Sequence, residues 1–177
     1  MGNARNRQEH SGRITRPRSG DIAPKGNSAL ARASRPSTSE SLRILWYSNA
    51  PFAPTGYGTQ TAQVVQRLTK KHEVAIHAMY GIEGMASIWN GIKLYPRGMS
   101  PYSDDVLVAH WMDWANGNRD IPALLMTLFD VWVLKSQSLD QVPNIASWVP
   151  IDHAPCPPDV VAWCKRPNVK PIAMSKF

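Results

Sequence analysis

Residues 43–68, RILWYSNAPFAPTGYGTQTAQVVQRL, run from an apolar strand through a two-glycine loop straight into an amphipathic helix, an order that commits the chain to an α/β arrangement. Ile44, Leu45, Trp46 and Tyr47 form the continuous apolar run of a strand buried in a parallel sheet. Asn49, Pro51, Pro54, Gly56 and Gly58 then end it. Beyond the loop, Thr61, Val64, Val65 and Leu68 recur at helical spacing, and Lys70 and Lys71 stand where a helix C-terminus favours cations. A helix that starts beside the glycines aims free backbone N–H groups and a positive dipole end above the strand. Such a place suits an anion, and a side chain added at Gly58 is expected to obstruct a phosphate at little cost to the fold.

The loop reads GYGTQT, so Gly56 and Gly58 match two positions of the dinucleotide pattern G-x-G-x-x-G while Thr61 takes the third. A dinucleotide site also wants a tight turn and an acidic residue about 20 positions on, at the end of the second strand. Two prolines lengthen this loop, and the next strand, HEVAIHAM, is followed by no carboxylate until Glu83. The motif alone therefore points away from a nicotinamide cofactor and leaves two readings open, a phosphate cradle or a simple turn.

Residues 1–42 contain no Trp, Tyr or Phe, are rich in Arg, Ser, Pro and Gly, and read as a disordered tail. They supply +5 of the formal charge of +7, leaving +2 on the remaining 135 residues, which hold all seven Trp and suffice for one domain. The basic character therefore belongs to the tail and argues for no specific nucleic-acid site on the domain, although a tail that binds RNA non-specifically is one alternative reading. No apolar run approaches the ~18 residues of a membrane span, and the polar start lacks a signal-peptide core. Only Cys156 and Cys164 are present. These features lead us to expect a soluble, cytoplasmic protein without disulfides. The spacing of His153, Cys156 and Cys164 matches no common zinc pattern, so no metal is expected.

Strands and helices continue to alternate. Val74, Ile76 and Ala78 mark a second strand, SIWNGIKLYP a hairpin turned at Asn90-Gly91, and Ser103 the cap of a helix running to Gly117. LLMTLF, at 124–129, reads as a central strand, as does the run through Trp148, Val149 and Ile151. Asp159 opens a short helix stopped by Pro167, and KPIAMS forms the last strand. This alternation predicts an open, mostly parallel α/β sheet with flanking helices over residues 43–177.

Ligands of such sheets bind outside the carboxyl ends of the strands, so the polar residues that follow each apolar run are the informative ones. They are Ser48 and Asn49 with the glycine loop, Asp130, the pair Asp152 and His153, and Ser175.

At these positions the chain resembles a known family. ILWYSNAPFAPTGYGTQT, TLFDVWVL, WVPIDHAPCPP and KPIAMSKF, in consistent order from about Leu42 to Phe177, are similar to the N-terminal half of family 4 glycosyltransferases, the retaining group with the GT-B fold. The resemblance implies a Rossmann-like, acceptor-side domain whose partner domain holds a nucleotide-sugar donor. It implies that the loop of Gly56, Tyr57, Gly58 and Thr59 approaches the donor diphosphate. It also implies that His153, with Asp152 beside it and Asp130 as a further polar group, lines the transfer site, and that no cofactor or bound metal takes part. Nothing in the sequence corresponds to the donor domain, so a truncated enzyme, or one completed by another chain, is expected. A non-catalytic nucleotide- or sugar-binding remnant is the alternative.

Overall fold

The computed structural model describes residues 41–175. The reading of residues 1–42 as a disordered tail falls, apart from Ser41 and Leu42, outside them. Seven strands form one sheet in the order β3-β4-β2-β1-β5-β6-β7. They are β1 (Arg43–Asn49), β2 (Glu73–Tyr80), β3 (Ser87–Trp89), β4 (Ile92–Tyr95), β5 (Ala123–Leu128), β6 (Ile145–Val149) and β7 (Val169–Ala173). All pairings are parallel except β3 with β4. That antiparallel hairpin turns at Asn90 and Gly91, with φ of 48° and 80°, the left-handed conformation a two-residue hairpin loop requires.

Every residue of β1 is buried, as its continuous apolar run demands of the strand at the centre of a two-sided sheet. Ile44 and Trp46 point to one face, where Val65 of helix α1 (Gly56–Leu68) joins Ile76 and Leu94. Leu45 and Tyr47 point to the other, where they meet Leu107 and Trp111 of α2 (Asp104–Asn116) and Val160 and Trp163 of α3 (Pro158–Cys164). Thr61, at the third position of the glycine pattern, is fully buried, and its hydroxyl accepts the Trp46 indole N–H at 3.0 Å, tying α1 to the sheet.

Several local expectations give way to tertiary structure. Helix α1 ends at Leu68, so Lys70 and Lys71 lie beyond it and Arg67 occupies its last turn. Ser103 precedes α2 with φ 63° and makes no side-chain cap; it accepts the Gly98 N–H at 2.6 Å instead. Ser100 Oγ takes over, accepting the Asp104 N–H at 3.0 Å. β6 stops at Val149 because Pro150 offers no N–H, which leaves Ile151 outside the strand and exposed. β5 and β6 are joined by two 3₁₀ turns, Val131–Val133 and Gln137–Gln141, where no α-helix forms.

The strand order fixes the place of a site. From β1 the chain moves outward through β2 to β4 on one side, then returns to β5 on the other side of β1. The carboxyl ends of β1 and β5 therefore flank the point where the winding reverses, where open α/β sheets form a crevice.

Candidate functional site

Asp130 follows β5 at this crevice, and the hydroxyl of Tyr57, in the first turn of α1, donates to its Oδ2 at 3.2 Å. That bond spans the two sides of the reversal point. Partial burial first, and then the carboxylates of Asp130 and Asp152, push the Tyr57 phenol up to about 12. It thus stays a proton donor at any physiological pH. One Asp130 oxygen is oriented by the phenol, and Oδ1 remains for a ligand.

Asp130, Asp152 and His153, all placed at strand ends by the sequence, line a single cleft of about 620 Å³. Its wall also holds Trp132, Asp159 and the prolines at 150, 157 and 158. The volume lies within the range of small-molecule binding sites. Asp152 Oδ1 and His153 Nδ1 form a contact pair. A carboxylate on Nδ1 of a neutral imidazole fixes the tautomer and leaves Nε2 as an acceptor. Both side chains are open to solvent, at 82% and 69% exposure, so they are positioned by each other rather than by a surrounding core. A small second cavity of about 80 Å³, lined by Tyr57, Tyr102 and Phe129 among others, shares Asp130 and Trp132 with the cleft.

The glycine loop divides into two parts. Thr55 caps α1: its Oγ1 accepts the Gly58 N–H at 2.9 Å and the Asn49 amide at 2.8 Å. Gly58 is buried, and a Cβ placed there would stand 2.3 Å from the Ala53 carbonyl oxygen and 2.9 Å from that of Ala50. The expectation that a side chain at Gly58 leaves the fold unharmed is therefore corrected. This glycine lets the loop backbone pack against the helix, and its N–H is already satisfied. Gly56 is exposed with nothing within 4 Å of a Cβ, and with Tyr57 it occupies the first turn, whose N–H groups have no acceptor within the helix. An anion would meet these two residues. Thr59 folds back, its hydroxyl donating to Thr55 O at 3.2 Å, and it does not line the cleft.

Two other strand-end residues do structural work. Ser48 is fully buried and donates to Leu128 O at 2.7 Å, stitching β1 to β5, while Asn49 holds Thr55 in place. Ser175 is exposed beyond β7 and lines none of the cleft. Trp132 was not singled out from the sequence; an aromatic two residues past a strand-end aspartate was the available signal. Among the described residues, no group of three or more His, Cys, Asp or Glu is arranged to hold a metal ion. No helix among them is long and apolar enough to cross a membrane. Cys156 and Cys164 are both free thiols, and burial pushes that of Cys164 upward.

A buried polar group lies apart from the cleft. His77 of β2, wholly buried, contacts Ser103 O through Nε2 at 3.1 Å and His110 Nδ1 through Nδ1 at 2.8 Å. A carbonyl only accepts, which assigns the proton to Nε2 of His77 and makes His110 the donor in the pair. Burial, and then the neighbouring His110, bring His77 down to about 3, against the opposing pull of the Ser103 carbonyl.

No known family model matches the chain, and neither the curated proteins nor the solved structures contain a match to it.

Proposed function

We propose that this chain is the acceptor-side domain of a retaining, nucleotide-sugar-dependent glycosyltransferase. The observation that carries the reading is the meeting, at the reversal point of the sheet, of the first turn of α1 with the Asp130, Asp152 and His153 cleft through the Tyr57–Asp130 hydrogen bond. One side of the crevice offers N–H groups and a helix dipole to a diphosphate, and the other offers hydrogen-bond acceptors to hydroxyl groups. Sugar transfer needs both.

In that reading the leaving group is a nucleoside diphosphate anion, and the N–H groups of Gly56 and Tyr57 stabilise charge as it develops on the departing oxygen. His153, held through Nδ1 by Asp152, presents Nε2 to a hydroxyl of the sugar or acceptor. Asp130 accepts from a second hydroxyl and fixes its orientation. This chain binds the diphosphate through its own first-turn N–H groups, while a second domain adds contacts to the nucleoside, closes over the exposed Asp152–His153 pair and removes it from water. The exposure of that pair also favours a second reading, a nucleotide- or saccharide-binding module without catalysis.

Amide-resolved NMR titration of the chain with UDP, GDP, ADP and their glucose or mannose conjugates tests the proposal. Shifts confined to Gly56, Tyr57, Asp130, Asp152 and His153 are expected. Shifts scattered over the surface, or none at millimolar ligand, would refute it. Release of nucleoside diphosphate from a bound conjugate, measured in a catalytically complete protein, separates the enzyme from the binding module.

A further inference from the structure

We infer that the cleft takes a neutral saccharide group, stacked on the indole of Trp132 with its hydroxyls donated to the surrounding carboxylates, and that it turns away phosphorylated or acidic sugars. The inference rests on the assignment of the cleft to the acceptor side.

Three observations converge on it. Trp132 is 49% exposed although it sits in a 3₁₀ turn whose neighbour Val131 is buried, and its ring borders both the 620 Å³ cleft and the smaller cavity beside Tyr57. An aromatic face held open to a cavity is matched by the C–H face of a pyranose, whose polarised hydrogens meet the negative face of the ring. Next, the cleft contains three carboxylates, Asp130, Asp152 and Asp159, and no Lys or Arg in its lining. Lys135 pairs with Asp159 at 3.3 Å but lines the neighbouring pocket rather than the cleft. Hydroxyl donors to carboxylates make the stronger, charge-assisted class of hydrogen bond, whereas a phosphate would face the like charge of Asp130 and Asp152, for which the lining supplies no Lys or Arg. Finally, Asp130 is already oriented by Tyr57, so a hydroxyl bound to its second oxygen loses less freedom on docking.

The arrangement also divides labour within the crevice. The diphosphate of a donor belongs near the first-turn N–H groups of Gly56 and Tyr57, and the uncharged sugar belongs between Trp132 and the aspartates. Trp132 is thus a specificity-determining residue, and Asp130 sets the charge preference.

The 177-residue chain is titrated with methyl α-D-glucopyranoside, methyl α-D-mannopyranoside and methyl β-D-galactopyranoside, with glucose 6-phosphate as the anionic counterpart, and read by saturation-transfer difference NMR. At least one neutral glycoside should bind with saturation concentrated on one C–H face, and glucose 6-phosphate should bind about tenfold more weakly or not at all. Trp132→Ala should weaken the neutral glycoside about tenfold, while Trp132→Phe, which keeps an aromatic face, should stay within about threefold. Asp130→Asn should narrow the gap between neutral and phosphorylated sugars. Failure of every neutral glycoside to bind at tens of millimolar, binding untouched by Trp132→Ala in a variant that melts normally, or equal binding of the phosphate would overturn the inference. The nucleotide titration described above separates this failure from that of the transferase reading. Glycoside binding that depends on Trp132 without nucleotide binding keeps the inference and sinks the transferase, whereas nucleotide binding without glycoside binding does the reverse.

Discussion

Replacing Gly58 by alanine tests whether the glycine loop is held together as described. The new Cβ would lie 2.3 Å from the Ala53 carbonyl oxygen and 2.9 Å from that of Ala50, both backbone atoms. Neither can swing aside alone, because Ala53 O accepts the Thr55 N–H at 2.8 Å and Ala50 O accepts the Ala53 N–H at 3.0 Å. Displacing them strains two loop hydrogen bonds worth about 1 kcal/mol each and adds an overpacking term of about 1–3 kcal/mol. Against this stands the better helix propensity of alanine, about 1 kcal/mol. The net loss should be about 2–4 kcal/mol, a fall in Tm of roughly 6–16 °C for a domain of this size. Gly56→Ala is the control. Nothing lies within 4 Å of its Cβ, so its Tm should hold or rise slightly. Differential scanning calorimetry of both variants decides the matter. A Gly58→Ala protein that melts with the parent, or a Gly56→Ala protein that melts well below it, would refute the packing argument.

Gly56→Val should leave Tm unchanged yet weaken nucleoside diphosphate binding about tenfold, by obstructing close approach to the first-turn N–H groups; isothermal titration reads the loss. Stability should fall on acidification, because folded His77 holds its proton less tightly than the unfolded chain does. Its contribution is complete above pH 6.5 and is lost toward pH 3, about 2 kcal/mol having gone by pH 5, and urea midpoints that stay flat from pH 7 to 5 would contradict this. Ser147→Ala should cost about 2–4 kcal/mol in chemical denaturation, since the buried hydroxyl of Thr127 and indole N–H of Trp163 both donate to Ser147 Oγ at 2.9 Å. In a catalytically complete protein, His153→Ala should lower kcat about 10²-fold while changing donor Kd little, as steady-state kinetics beside equilibrium binding would reveal.

Strand ends were the most legible part of the site. A hydrophobic run in a parallel sheet has a defined exit, so Asp130, Asp152 and His153 could be placed at the carboxyl ends of strands from sequence alone, and all three line one cleft. The roles of Ser48 and Asn49 were not legible, because the same position after a strand can point into the crevice or back onto a neighbouring carbonyl, and only the register of β1 against β5 decides. The two glycines look alike in sequence, but Gly58 faces the loop carbonyls and Gly56 faces open space. His77 sits between Ile76 and Ala78, in a strand marked in sequence only by its apolar positions. Both faces of β2 are covered, and a partner 33 residues away in α2 satisfies the ring. Arg43 carries no signal of its role in the sequence, where it only precedes the apolar run of β1. It is buried, paired with Glu73, and lies 4.1 Å over the ring of Trp114, contacts that only folding brings together.

A crystal structure of the chain grown with a nucleotide sugar, UDP-glucose or GDP-mannose, tests the central assignment most directly. The diphosphate is expected within hydrogen-bond distance of the Gly56 and Tyr57 N–H groups, with the sugar directed toward Asp130 and His153. A nucleotide bound elsewhere on the sheet, or a crevice left empty at concentrations that saturate the crystal, would contradict it.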